Sequence, residues 1–263
     1  MSASFHIYGD ESTSGDNVIY AFCIVPVDMI ATAEESLAKT KEKFSASRDT
    51  RFHCKELFHA DARRKTEWAH LSNKQACDLA LAVTYSLANL GIETIAGHVN
   101  RNDFLSEMPG VGDLPAMQIK DTVQLVPYAF STAVAQFSVI EKYKNNCKLW
   151  IDPNPTKINW YGSGKKVERA LKVNQVDLNS RTISPILLPE NLISKEKPRL
   201  LEIADLLAYS TSRVINNPRS TSSHYSDAVI KEINKIMGPV VLKFKPSPVE
   251  EMKDGVFTNF IFK

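Results

Sequence analysis

Residues 5–12, FHIYGDES, decide how the fold is read. Phe5 to Gly9 is short and apolar and then meets Asp10, Glu11 and Ser12, which reads as a buried strand that stops at acidic residues. Residues 13–17 carry Gly15 and other turn formers, so they make a tight connection. Residues 18–27, VIYAFCIVPV, are β-branched and aromatic, and give a second strand paired with the first as a hairpin. The pattern then alternates. Asp28 is placed to cap a helix running to about Lys43, and residues 51–59, RFHCKELFH, read as a third extended segment. A helix is expected from about Ala62 to Leu90, ended by Gly91, followed by a strand at 92–99.

The second half repeats the strand-then-acid motif. A long helix from about Ala116 to Lys144, kinked at Pro127, precedes a short buried strand at 148–151. That strand stops at Asp152, because Pro153 cannot supply a ladder donor. Residues 183–188 read as a strand, and Pro198 opens an amphipathic helix through about Ile215, with Leu201, Ala204, Leu207 and Ala208 expected to be buried. A helix at about 226–237 and an extended tail from Pro239, with one or two strands, complete the chain. The expected fold class is α/β: a mixed sheet with helices on both faces, in which the Asp10 and Asp152 strands are neighbours.

Composition limits the alternatives. The 263 residues are 43% hydrophobic and 24% charged, with 32 Lys and Arg against 30 Asp and Glu, a net charge of +2. A chain this long folds without disulfides or structural metal, and without a linker-like stretch it is expected to form one domain over 1–263, with a core of about 5–215 and a C-terminal extension of about 216–263. The net charge is too small to argue for nucleic acid, so any nucleic-acid surface has to be local. The short basic clusters Arg63-Arg64-Lys65, Lys142 with Lys144, and Lys165-Lys166 read, each alone, as solvated helix faces. The four cysteines, Cys23, Cys54, Cys77 and Cys147, are scattered. That spacing suits a reducing compartment, and no secretory signal or membrane-length apolar run is present, so the expected location is cytoplasmic.

The acids carry the functional reading. Asp10 and Asp152 each follow an apolar strand, and ligand groups gather at the carboxyl ends of strands in α/β sheets. Asp205 sits inside LLEIADLLAY, three residues from Glu202 and so on the same helix face. An acid ringed by Leu, Ile and Ala is costly to bury unless it is paired or metal-bound. Two strand-end acids and one acid on a late apolar helix suit a site holding two Mg²⁺ or Mn²⁺ ions for phosphoryl chemistry. His53, Cys54, Glu56 and His59 invite a zinc reading, but the H-C-x-E-x-x-H spacing lacks a second cluster to complete four ligands. His53 is a packed residue, or a helper base or phosphate contact beside the acids. The stretch from Gly162 to Lys166 lacks phosphate-loop spacing and is rejected.

Tyr8-Gly9-Asp10-Glu11-Ser12 near the start, a KEL in the middle, a strand ending at Asp152, and Ile203-Ala204-Asp205-Leu206-Leu207-Ala208 come in an order that resembles the domain of unknown function 3800 family. The resemblance spans about residues 5–215. It implies a ribonuclease-H-like fold and a divalent-metal-dependent nuclease, a hydrolase leaving a 5′ phosphate and a 3′ hydroxyl. It also implies a DNA or RNA substrate and metal ligands drawn from Asp10, Glu11, Glu56, Asp152 and Asp205. Glu56 matches the middle acid, with His53 or His59 as alternatives for that place. Two departures stand out: Thr13 and Ser14 precede Gly15 where the family continues directly into Gly, and Glu202 stands where Gln is usual. The rival reading is a non-catalytic module of the same fold acting in a protein or nucleic-acid complex; a phosphatase acting on a small substrate is a third.

Overall fold

The computed structural model describes residues 4–107, 122–126, 128–130, 132–133, 141–143, 147–151, 183–187, 198–216, 225–244, 252–253 and 256–257. Strands β1 (Phe5–Ser14) and β2 (Asn17–Pro26) form the expected hairpin, paired residue for residue from Phe5↔Pro26 to Ser14↔Asn17. The turn is two residues long, and Gly15 takes it at φ +57°, in the left-handed region that a tight hairpin requires. β1 continues beyond Asp10 rather than stopping there, because β2 stays paired with it through the polar stretch.

β3 (Glu93–Asn100), β4 (Cys147–Ile151), β5 (Ile183–Leu187) and β6 (Val240–Lys243) join β1 and β2 in one six-stranded sheet of order β5-β4-β1-β2-β3-β6, and two short strands, β7 (Met252–Lys253) and β8 (Val256–Phe257), pair separately. β1 pairs in parallel with β4, from Phe5↔Cys147 to Gly9↔Ile151, so the two strands that lead to Asp10 and Asp152 are neighbours, as expected. Asp152 itself lies outside the described residues.

The described helices are α1 (Ile30–Lys43), α2 (Cys54–Phe58), α3 (Ala60–Arg63), α4 (Asn73–Ala88), α5 (Arg101–Glu107), α6 (Leu201–Asn216) and α7 (Tyr225–Met237). Side chains alternate across the sheet. Tyr8, Ile19, Ala21, Cys23 and Ala96 face a core shared with α1, α4, α6 and α7, while Ile7, Tyr20, Phe22, Ile95 and Leu149 face a second core with Phe104, Val126, Ala129 and Phe130. The protein is therefore α/β, a mixed sheet with helical segments on both faces, consistent with the fold the resemblance implies. Gly9 belongs to this packing: a Cβ there would meet the Phe22 ring at 2.4 Å, so only glycine lets that ring lie across β1.

Two further segments differ from the sequence reading, and a third lies largely outside the described residues. Residues 54–58 are helical rather than extended. The expected helix from Ala62 to Leu90 is broken into α3, a 3₁₀ turn at 67–70 and α4. Thr66 accepts from Trp68 N–H to start the turn, and Ser72 starts α4 with a reciprocal capping box to Gln75. The expected helix from Ala116 to Lys144 falls largely outside the described residues. Beyond residue 216, α7 packs on α4 and α6, and β6 extends the sheet beside β3. Ser72→Ala should cost about 1 kcal/mol of stability; an unchanged urea midpoint would contradict this account of the break.

Candidate functional site

The site is built where α6 crosses β1 and β2. α6 is buried almost all round from Leu201 to Ala208, including the four positions expected to be buried, because the sheet covers one side and α2 and α7 pack on others. Its two acids are therefore buried too: Glu202 is 4% exposed and Asp205 7%. Buried carboxylates need partners, and these come from chain segments far away in sequence.

The extended segment before α2 supplies the first set. Phe52 N–H donates to Glu202 Oε2 at 3.4 Å, and Cys54 N–H donates to Asp205 Oδ2 at 2.6 Å. Two acids three apart on a helix thus take alternate N–H groups of one extended stretch, and Asp205 satisfies a donor of the first turn of α2. The other end of α2 is held by Phe58, whose ring stacks on Tyr209 of α6 at 5.2 Å between centroids. α2 is in this way fixed to α6 at both ends, carrying half-buried Glu56 and exposed His53.

Lys41, from the last turn of α1, supplies the second partner. Its Nζ lies 2.6 Å from Glu202 Oε2, and it is only 1% exposed. Burial pushes the Glu202 carboxyl up, opposed by the Lys41 charge, and burial pushes the Lys41 ammonium down, opposed by Glu202. Glu202 Oε1 is buried with no hydrogen-bond partner among the described residues. The sequence reading overlooked Lys41, although Ala33, Leu37 and Lys41 recur at helical spacing on the buried face of α1.

Asp10 reaches the same place from the sheet. It shares the Tyr8 side of β1, which faces α6, and its Oδ1 accepts from Glu11 N–H at 2.8 Å. Cys54 sits beside Asp205. Burial, then the carboxylates of Asp205, Asp10 and Glu202, raise its pKa well above the usual value. In the protein without metal it is therefore a protonated thiol at neutral pH and not a nucleophile. All four cysteines are buried and free. Ellman's reagent should label none of them within minutes in the native protein and four after unfolding; rapid native labelling would contradict this burial.

The other expected site residues are distributed as follows. Glu11 lies on the opposite, Tyr20 side of β1, away from Asp10. His53 is exposed, caps α2, and accepts from Lys55 N–H through Nδ1 at 3.2 Å. His59 is exposed as well, and among the described residues it, His53 and Cys54 make no metal-holding group. Arg63, part of a cluster expected to be a solvated helix face, is instead buried: its guanidinium donates to the carbonyls of Leu71 and Leu57 and to Asn73 Oδ1. Arg64 is exposed and paired with Asp61. Lys165 and Lys166 lie outside the described residues, as does Asp152. Among the described residues no three His, Cys, Asp or Glu side chains form a complete metal-holding group. No helix among them is long and apolar enough to cross a membrane.

No family model, curated protein or solved structure matches this chain.

Proposed function

We propose that this chain is a divalent-metal-dependent nuclease, hydrolysing phosphodiesters at a carboxylate site centred on Asp10 and Asp205. One observation carries the reading: Asp205, buried on α6, accepts from Cys54 N–H at 2.6 Å, and α6 packs across β1 on the face that carries Asp10. The fold spends buried, partly dehydrated carboxylates there, which is costly without a compensating cation. The donor set fits the metal. The acids offer hard oxygen, which suits Mg²⁺ or Mn²⁺.

Asp10 and Asp205 would hold the ions together with Asp152, which follows Ile151 in the sequence, and with Glu56 as the fourth acid in preference to Glu11. When bound, such ions lower the pKa of water and neutralise charge on the leaving oxygen. The chain's own residues do the positioning. The Cys54 N–H fixes the Asp205 carboxylate, and the grip of Glu202 on Phe52 N–H sets the approach of α2, and with it Glu56. Because His53 Nδ1 already accepts from Lys55 N–H, its Nε2 carries the proton and is the atom that can donate to a substrate phosphate.

The test is incubation of the purified chain with single- and double-stranded DNA and RNA in Mn²⁺ or Mg²⁺. The expected result is cleavage of at least one substrate, abolished by EDTA, with 5′ phosphate ends. A folded chain that binds no Mn²⁺ and cleaves none of the four would favour the non-catalytic reading.

A further inference from the structure

The carboxyl ends of β3 and β6 hold a cavity that the acid site does not use. The two strands are parallel neighbours, and His98↔Lys243 is their last pair in register. A cavity of about 140 Å³ lies there, lined among others by His98, Asp103 of α5, Lys243 and the rings of Phe104 and Phe244. Ligand groups gather at such strand ends. The space is small beside the roughly 300–1,000 Å³ of sites for drug-sized ligands, so it suits a small molecule rather than a polymer.

His98 is 6% exposed, and a chain of amides fixes its protonation. Asn216 Nδ2 donates to the Ser212 carbonyl at 2.8 Å, so Asn216 Oδ1 is the acceptor for Asn17 Nδ2, also at 2.8 Å. Asn17 Oδ1 is thereby turned to Asn100 Nδ2 at 2.9 Å and to His98 Nε2 at 2.7 Å. His98 Nε2 therefore carries a proton and donates it to that oxygen. Burial, then the Lys243 charge, lower the His98 pKa against the pull of Asp103, so the ring is neutral at neutral pH. Nδ1 is left as an acceptor, buried and without a hydrogen-bond partner among the described residues. A buried acceptor without a donor is costly. The two nitrogens of an imidazole point nearly opposite ways. With Nε2 turned toward β2, Nδ1 turns toward β6, on the side of Lys243 and the cavity.

Asp103 and Lys243 are exposed and act on the His98 charge with opposite signs. Among the described residues neither forms an ion pair. The cavity thus lacks a donor for His98 Nδ1, a cation for Asp103 and an anion for Lys243. An ammonium group meets the first two needs at once, since it is charged and donates up to three hydrogen bonds. A carboxylate meets the third. The Phe104 and Phe244 rings, with centroids 5.6 Å apart, add an apolar wall.

We propose that this cavity binds a free amino acid, with its ammonium between His98 Nδ1 and the Asp103 carboxylate, its carboxylate on Lys243 and its side chain against Phe104 and Phe244. A simple anion would leave Nδ1 without a donor and would face Asp103, and a metal cation would face the Lys243 ammonium. The site stands on β3 and β6, with β2 between it and Asp10, and does not depend on the nuclease reading.

The test is a nuclear magnetic resonance titration of the isotope-labelled full chain with each of the common free L-amino acids in turn. Any binder is then compared with its N-acetyl and carboxamide derivatives. At least one amino acid should give saturable shifts at His98, with the Nδ1 resonance moving as its lone pair accepts a hydrogen bond. Asp103→Asn and Lys243→Gln change exposed side chains and should keep the parent's circular dichroism. Each should weaken binding roughly 10- to 100-fold, the range for a hydrogen bond to a charged group. The N-acetyl derivative should bind the parent weakly and lose nothing further in Asp103→Asn; the carboxamide should behave likewise in Lys243→Gln. Mere structural damage would not match one end of the ligand to one charge. The proposal is overturned if no amino acid binds, if binding leaves the His98 resonances unmoved, if a blocked derivative binds as well as the free amino acid, or if either variant binds like the parent.

Discussion

Lys41→Met is expected to destabilise the protein by roughly 3–5 kcal/mol, the cost of leaving one member of a buried ion pair without its partner. Lys41 and Glu202 are 1% and 4% exposed, so water does not screen the loss. The methionine fills the lysine stem's space beside Phe52, over whose ring Lys41 Nζ lies at 5.6 Å, so most of the loss is electrostatic rather than a cavity. Among the described residues Glu202 would keep the 3.4 Å bond from Phe52 N–H, and it would tend to take up a proton. Adding Glu202→Gln to Lys41→Met should recover much of the loss, because the buried charge is then gone. Urea unfolding of the single and double variants checks this. A single variant as stable as the parent, or a double variant showing the plain sum of the two losses, would show that the pair is not coupled as described.

Asp10→Asn should lower Mn²⁺-supported cleavage by roughly 100- to 1,000-fold or more, in line with removing one group that stabilises charge at the reacting phosphate. The fold should survive. Asp10 is only half-buried, Asn keeps an oxygen that can accept from Glu11 N–H, and β1 keeps its pairing with β2. Without metal, the variant should melt no lower than the parent, because one of the three carboxylates around Cys54 has lost its charge. Cleavage at the parent rate would remove Asp10 from the site. Lost cleavage with a much lower melting temperature would make Asp10 structural instead.

The strands and late helices were legible because each carries a single strong period. Residues 5–9 and 148–151 are mostly apolar, broken by His6 and Lys148, which fits short strands of one sheet. The α6 stretch is apolar at helical spacing. Its acids, however, gave no hint of their distant partners, since hydrogen bonds from Phe52 and Cys54 depend on packing, not on local pattern. Residues 51–59 misled because they hold two periods: Phe52 and Cys54 alternate like a strand, while Cys54, Leu57 and Phe58 recur like a helix. Arg63 looked like part of a surface cluster because charge alone does not reveal that three acceptors wait for its guanidinium in the break between helices. Asp10 and Asp205 were identifiable as acids in apolar settings. That Glu11 falls on the far side of β1 follows from strand alternation once the strand is seen to run past Asp10.

The central claim is that Asp10 and Asp205 together hold a divalent cation. Electron paramagnetic resonance of free Mn²⁺, titrated with the parent chain, Asp10→Asn and Asp205→Asn, tests it without relying on any substrate. Saturable Mn²⁺ uptake by the parent, lost in each variant while both keep the parent's circular dichroism, is the predicted result. A parent that leaves Mn²⁺ free, or variants that take it up as the parent does, would contradict the account.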